Sequence, residues 1–156
     1  MLINLSVLVL SFVAMEFVAW FTHKYIMHGW LWGLHRDHHR KDHDHPLERN
    51  DLFFIVFGLP GALLIASGSP NLMTDLRFWI GLGITLYGAA YIFVHDIFIH
   101  QRIKIFRRTN NTYFKAMRKA HLIHHKHLNK EDGECFGFLW VPRKYLNEAR
   151  REGMKQ

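Results

Sequence analysis

Three apolar runs constrain this chain more than anything else in it. Leu2–Phe21 is a 20-residue run broken only by Asn4, Ser6, Ser11 and Glu16. As a helix it covers roughly 30 Å, the thickness of a bilayer core. Leu52–Ser67, extendable to Pro70, is shorter, and Pro60-Gly61 should kink it. Leu76–Val94 is the third run, with Gly81, Thr85 and Gly88 on one face. Small residues at that spacing let helices approach closely in lipid. The expectation is an all-α, integral-membrane helical bundle of about three to four spans (2–21, 52–70 and 76–94). At 156 residues the whole chain, 1–156, reads as one membrane-embedded domain.

The charge lies between and after these runs. The chain carries a net charge of +7, which in a soluble protein would suggest nucleic acid. Here residues 95–156 hold fourteen Lys/Arg against six Asp/Glu and follow the last apolar run. That is the pattern of a cytoplasmic flank, so no nucleic-acid partner is expected. The connector 68–77 holds one Asp and one Arg, and the segments on the other side hold the remaining nineteen basic residues. The positive-inside rule puts those segments in the cytoplasm and the N-terminus outside. Cys135 is the only cysteine, which excludes an intrachain disulfide, a cysteine-bound iron–sulfur centre and a zinc ribbon. Met1-Leu2-Ile3-Asn4 lacks the positive start of a secretory signal, so the first run reads as a retained span.

Ten of the thirteen histidines form a doubled pattern in the polar segments 23–39 and 95–125. His23 and His28 are His-x4-His; His35, His38 and His39 are His-x2-His-His. The two motifs recur as His95/His100 and His121/His124/His125. On an α-helix, positions i, i+3 and i+4 project within about 100° of one another. Each x2 motif can therefore converge on one metal ion or on two adjacent ones. Positions i and i+5 lie about 140° apart. Each x4 pair then needs a helix that ends or unwinds, or its members must serve different ions. Gly29 offers such an end after His28. Ten imidazoles exceed the needs of one ion, and two ions with open positions fit the count. Imidazole alone suits zinc, copper, iron or nickel. His43, His45 and His127 fall outside the pattern and read as solvent-facing, with His43 near enough to touch the rim.

Asp37, Asp51 and Asp96 neighbour the clusters and are candidates to orient the rings, or else solvated charges. Glu16, seven residues before His23, is either a buried polar residue bonded to another span or an outer-shell group or proton route beneath the metal. Asn110, Asn111 and Thr112 offer caps for a helix over 113–128, with Tyr113, Met117, His121, His124 and Leu128 on one face. Cys135–Val141 is a buried strand-like segment or an interfacial anchor, and 143–156 an exposed charged helix or frayed tail. Trp30, Trp32, Tyr91, Phe93 and Phe98 could line an opening for an apolar substrate. Electrons for oxygen chemistry must come from outside, because the chain has no flavin, nicotinamide or iron–sulfur motif. An acidic ferredoxin-type donor would suit the basic face.

The order of the four histidine motifs among apolar spans resembles the fatty acid hydroxylase superfamily of membrane di-iron enzymes. HKYIMHGWLWGLHRDHH, NDLFFIVF, YGAAYIFVHDIFIHQR, AHLIHH and CFGFLWVP together are similar to bacterial β-carotene 3-hydroxylases, over about Glu16 to Pro142. The resemblance implies two iron ions, O2 as co-substrate and a membrane-dissolved carotenoid hydroxylated at position 3 of its β-ionone rings. β-Carotene would become β-cryptoxanthin, then zeaxanthin, in a bacterial inner membrane. It makes the ten patterned histidines the iron ligands. The superfamily is usually described with four spans, where this chain shows three. A carotenoid ketolase or a sterol or fatty acid hydroxylase or desaturase would share the site. A membrane metal carrier is the rival from another class, and it should place ionisable groups through the depth of its spans.

Overall fold

A computed structural model of the chain describes residues 1–40 and 47–154. The expectations for His43 and His45 lie outside the described residues. Among these residues there are six α-helices and no strand. They are α1 (Leu2–Phe21), α2 (Trp32–His39), α3 (Leu52–Gly68), α4 (Leu76–Tyr91), α5 (Thr112–Lys126) and α6 (Arg143–Gly153). Three continuous rods are long and apolar enough to cross a membrane: Leu2–Trp30, Arg49–Asn71 and Leu76–Ile99.

The rods outrun the apolar runs. α1 continues as a π-helix over Thr22–Trp30, and α4 does the same over Ile92–Ile99. α3 stays helical through Pro60. The x4 histidine pairs thus belong to the spanning rods and not to loops beyond them. α1 and α3 both pack along α4, and hardly on each other. Glycine sets these approaches: a Cβ on Gly81 would lie 2.6 Å from the Gly61 carbonyl oxygen of α3, too close to exist. Thr85 donates its hydroxyl to the Gly81 carbonyl at 2.9 Å. Gly88 departs from the expected packing stripe, since nothing lies within 4 Å of where its Cβ would be. At the other end of the bundle, Asn4 donates to the Met73 carbonyl at 2.9 Å, which satisfies a polar side chain in an otherwise apolar helix. Leu5, Leu10, Val13 and Phe17 of α1, and Ile55, Leu59 and Leu63 of α3, expose their side chains as a lipid-facing surface would.

Beyond the bundle, Asn111 caps α5 by accepting from the Tyr113 and Phe114 amides at 2.9 and 3.1 Å. The helix stops at Lys126, two residues short of the expected end, because Leu128 turns its carbonyl toward His28. Of the two expectations for 143–156, the charged helix is the one that forms, but it is not wholly exposed. α6 is amphipathic, burying Tyr145 and Ala149 against α5. Cys135–Val141 forms no strand. It alternates buried Phe136 and Phe138 with less buried residues, turns Trp140 outward at 80% exposure and ends on buried Val141.

Candidate metal centre

The π-helical turns answer the geometric problem of the x4 spacing. A π-helix bonds each amide to the carbonyl five residues back, as His100 N does to His95 O at 2.8 Å. Five residues then make about one turn, and both histidines of each pair face the same way. After His28 the backbone leaves the helical region at Gly29. Neither pair is divided between the two groups of ring nitrogens that result. The division falls in the x2 motifs.

One group of ring nitrogens comprises His23, His28, His35, His39 and His124, and another comprises His38, His95, His100 and His121. In each group the candidate ligand nitrogens all lie within 4.8 Å of one another. The motif of α2 therefore sends His35 and His39 to one group and His38 to the other, and α5 separates His124 from His121 likewise. His125 stands between the groups. Its Nε2 is 2.8 Å from that of His121, and its ring stacks on His39 at 4.2 Å.

The outward nitrogens show what the inward ones carry. His23 Nδ1 donates to the Phe136 carbonyl at 3.0 Å, His28 to Leu128 at 2.9 Å, and His124 to Glu134 at 3.0 Å. His35 donates to Asn50 Oδ1 at 2.6 Å. These oxygens only accept, so the proton of each neutral ring is on Nδ1 and Nε2 holds a lone pair. Yet the Nε2 atoms face one another: 3.0 Å for His23–His35, 3.0 Å for His23–His124 and 3.3 Å for His28–His124. No hydrogen bridges them, and opposed lone pairs repel. Burial holds the His35 ring down to about 3, so protonation does not relieve this. A cation between them does. An imidazole-bound metal at about 2.1 Å separates two ligands at right angles by about 3.0 Å, and tetrahedral ligands by about 3.4 Å. The observed spacings of 3.0 to 3.3 Å lie in the range that two nitrogens sharing one ion would show. His38 Nε2, buried and without a hydrogen-bond partner, repeats the pattern in the second group.

The fatty acid hydroxylase family profile matches residues 8–142. The chain belongs to that family. It is 42% identical to a β-carotene hydroxylase of Pseudescherichia vulneris over 143 residues, 90% of this chain and 78% of the relative. It is 35% identical to one from Paracoccus sp. strain PC1 over 95% of this chain and 91% of the relative. A third, from Pantoea ananas, is 41% identical over 89% of this chain and 78% of its own. No solved structure matches it.

Of the carboxylates singled out in the sequence of this family member, Asp96 nears a ring, its Oδ1 3.4 Å from His95 Nδ1. Asp37 accepts from the Arg49 amide at 2.6 Å, and Asp51 from the Glu48 amide at 2.9 Å. Both brace the turn before α3. That turn carries what the sequence did not reveal: Asn50 on His35, and Glu48, whose Oε2 accepts from His38 Nδ1 at 2.8 Å. Glu16 bonds another span, accepting from Tyr87 of α4 at 2.7 Å. It also takes the backbone amides of Phe138, Leu139 and Trp140 at 2.7, 2.8 and 3.0 Å. Its oxygens are thus occupied by donors of the protein, the less specific of its two readings.

Beneath the first group an apolar cavity of about 580 Å³ enters the bundle between α1, α3 and α4. His23, Asn50 and Phe136 line its histidine end, and Ser69 lines its far end. Along α3 from Phe53 to Ser69 that is about 24 Å of helix. Gly58, Ala62 and Ala66 of α3 and Gly88 of α4 keep it open. Of the aromatics expected at an opening, only Tyr91 lines it. Trp30 and Phe93 face outward. Trp32 packs on His28 and His39 at 5.3 and 5.5 Å, and Phe98 is in the core under Arg118. Phe53, Phe54, Phe57 and Phe138 line it instead. Their helical spacing reads equally well as ordinary packing.

Proposed function

We propose that this chain hydroxylates carotenoids, inserting one oxygen atom from O2 at position 3 of a β-ionone ring and converting β-carotene through β-cryptoxanthin to zeaxanthin. One observation carries this reading: two adjacent groups of converging imidazole nitrogens, the first of them closing one end of a long apolar cavity inside a spanning bundle. The relatives' activity and the family agree with it.

His23, His28, His35, His39 and His124 would hold one iron ion and His38, His95, His100 and His121 the other, with His125 completing the second set. Bound iron supplies the reduction of O2 that attack on an unactivated C–H bond requires. The protein's own work is placement. Carbonyls and amide or carboxylate oxygens behind the rings fix the tautomers and aim the lone pairs inward. The cavity receives a hydrocarbon from the bilayer, excludes water and brings one end of it to His23. The histidines lie at the rod ends rather than through the spans, which favours an enzyme over a carrier.

Lys104, Arg107, Arg108 and Lys126 are exposed at the histidine end, a surface suited to an acidic ferredoxin-type electron donor. The charge asymmetry supports a cytoplasmic position for that end in a bacterial inner membrane, with the chain acting as a single domain.

Expression in cells that accumulate β-carotene, followed by pigment chromatography, tests the reading. Zeaxanthin is expected from the wild type, and unchanged β-carotene from His38→Ala and His124→Ala. Unchanged β-carotene with an iron-loaded wild type would refute the substrate. Full activity in both variants would refute the ligands.

A further inference from the structure

The two histidine groups are anchored by different chemistry. Behind the first, the described acceptors are neutral: three backbone carbonyls and the Asn50 amide oxygen. Behind the second stand carboxylates, Glu48 at 2.8 Å from His38 Nδ1 and Asp96 at 3.4 Å from His95 Nδ1.

These carboxylates are gathered by one residue. Arg102 forms ion pairs with Glu48 at 2.7 Å, Asp51 at 2.9 Å and Asp96 at 3.4 Å. It reaches them because the chain turns sharply after the second π-helix. Gln101 adopts a φ of 56°, and the Arg102 amide donates back to the Asp96 carbonyl at 2.9 Å. The side chains of Glu48 and Asp96 are only 9% and 8% exposed, so solvent screens them little. Among the described residues, three carboxylates against one guanidinium leave excess negative charge beside the second group.

A carboxylate behind an imidazole strengthens it as a donor more than a carbonyl does. We propose that Arg102 and Glu48 are positioning residues that make the two metal positions inequivalent, the second group holding its ion more tightly than the first. The inference rests on reading the histidine groups as metal ligands.

The experiment uses the full-length chain in detergent, loaded anaerobically with iron-57(II). It follows iron per chain during a chelator challenge and records Mössbauer spectra. For the wild type we expect two release phases and two distinct iron signals of equal area. Glu48→Gln keeps an oxygen for His38 but removes the charge. It should weaken the second position 10- to 100-fold, an order usual for an outer partner of a metal ligand, and change one signal only. Arg102→Gln, which frees the carboxylates from their clamp, should change the same signal. Asn50→Asp gives the first group a carboxylate of its own, so it should slow release of the weaker ion and bring the two signals together. One release phase with one signal in the wild type overturns the proposal. So does faster release of the weaker ion, or a change in both signals, in Glu48→Gln, or an unchanged first phase in Asn50→Asp. A wild type that takes up no iron overturns the metal reading itself, and this inference with it.

Discussion

Replacing Glu16 tests how the spanning bundle holds the metal end. Its Oε1 accepts three consecutive amides, Phe138, Leu139 and Trp140, and its Oε2 accepts the Tyr87 hydroxyl. Successive amides aimed at one anionic oxygen form a nest. Hydrogen bonds to a charged acceptor contribute about 1.5–3 kcal/mol each. Water replaces Glu16 at the exposed Trp140 amide, so two amide bonds and that of the buried Tyr87 hydroxyl count fully, and Glu16→Ala should cost about 4.5–9 kcal/mol. Glu16→Gln keeps an acceptor of the same shape without the charge. Charge assistance roughly doubles such bonds, so about half of that cost is expected. The consequence extends to the centre, because the pinned segment supplies the Phe136 carbonyl to His23 and the Glu134 carbonyl to His124. Thermal melts of the detergent-purified chain should rank wild type above Glu16→Gln above Glu16→Ala, and Glu16→Ala should lose iron from the first histidine group before the second. A wild-type melting midpoint and iron content in Glu16→Ala would refute the argument. Loss of activity in Glu16→Gln at undiminished stability and iron content would revive the proton-route reading.

Gly88→Leu and Ala62→Phe should leave melting and iron content near wild type while lowering zeaxanthin output at least about tenfold, because their side chains project into the cavity; unchanged pigment conversion in both would remove the cavity from the reaction. The metal-free chain should lose stability on acidification. His35 and His125 are held near 3 and 4 in the fold but titrate near 6.5 when unfolded. The unfolded chain therefore takes up protons first, and stability present above about pH 6.5 falls toward pH 4, by at most about 1.4 kcal/mol per pH unit for each group. A melting midpoint flat from pH 7 to 4 in the metal-free chain would contradict this.

The sequence carried the spans and the ten clustered histidines, because hydropathy and spacing are local properties. It did not carry how the histidines are shared. His35, His38 and His39 read as one grip, since all three leave one face of a helix, but that face looks onto two groups at once. The x4 pairs left a choice between a broken helix and separate ions. The structure takes the unwinding course, as a widened π-turn, and a π-turn differs too little from an α-turn for residue types to announce it. What decides it is convergence from afar: His23 must meet His124, and His100 must meet His121. Glu48 and Asn50 were illegible for the same reason. They reach His38 and His35 across ten and fifteen residues that follow no helical period.

The glycines make the complementary point. Gly81 and Gly88 lie seven residues apart on one helix and read as a single packing stripe. Gly81 meets the Gly61 backbone, and any larger residue would force α3 and α4 apart. Gly88 meets nothing, and its missing side chain is space in the cavity. α4 therefore uses the same residue type to bring one neighbour close and to keep room beside another. Because α1 and α3 each rest on α4 and scarcely touch one another, that room lies between them, on the side from which lipid would enter. Three spans suffice for this arrangement: two rods deliver the x4 pairs, and the third carries the turn that orients His35 and His38 and lines one wall of the cavity.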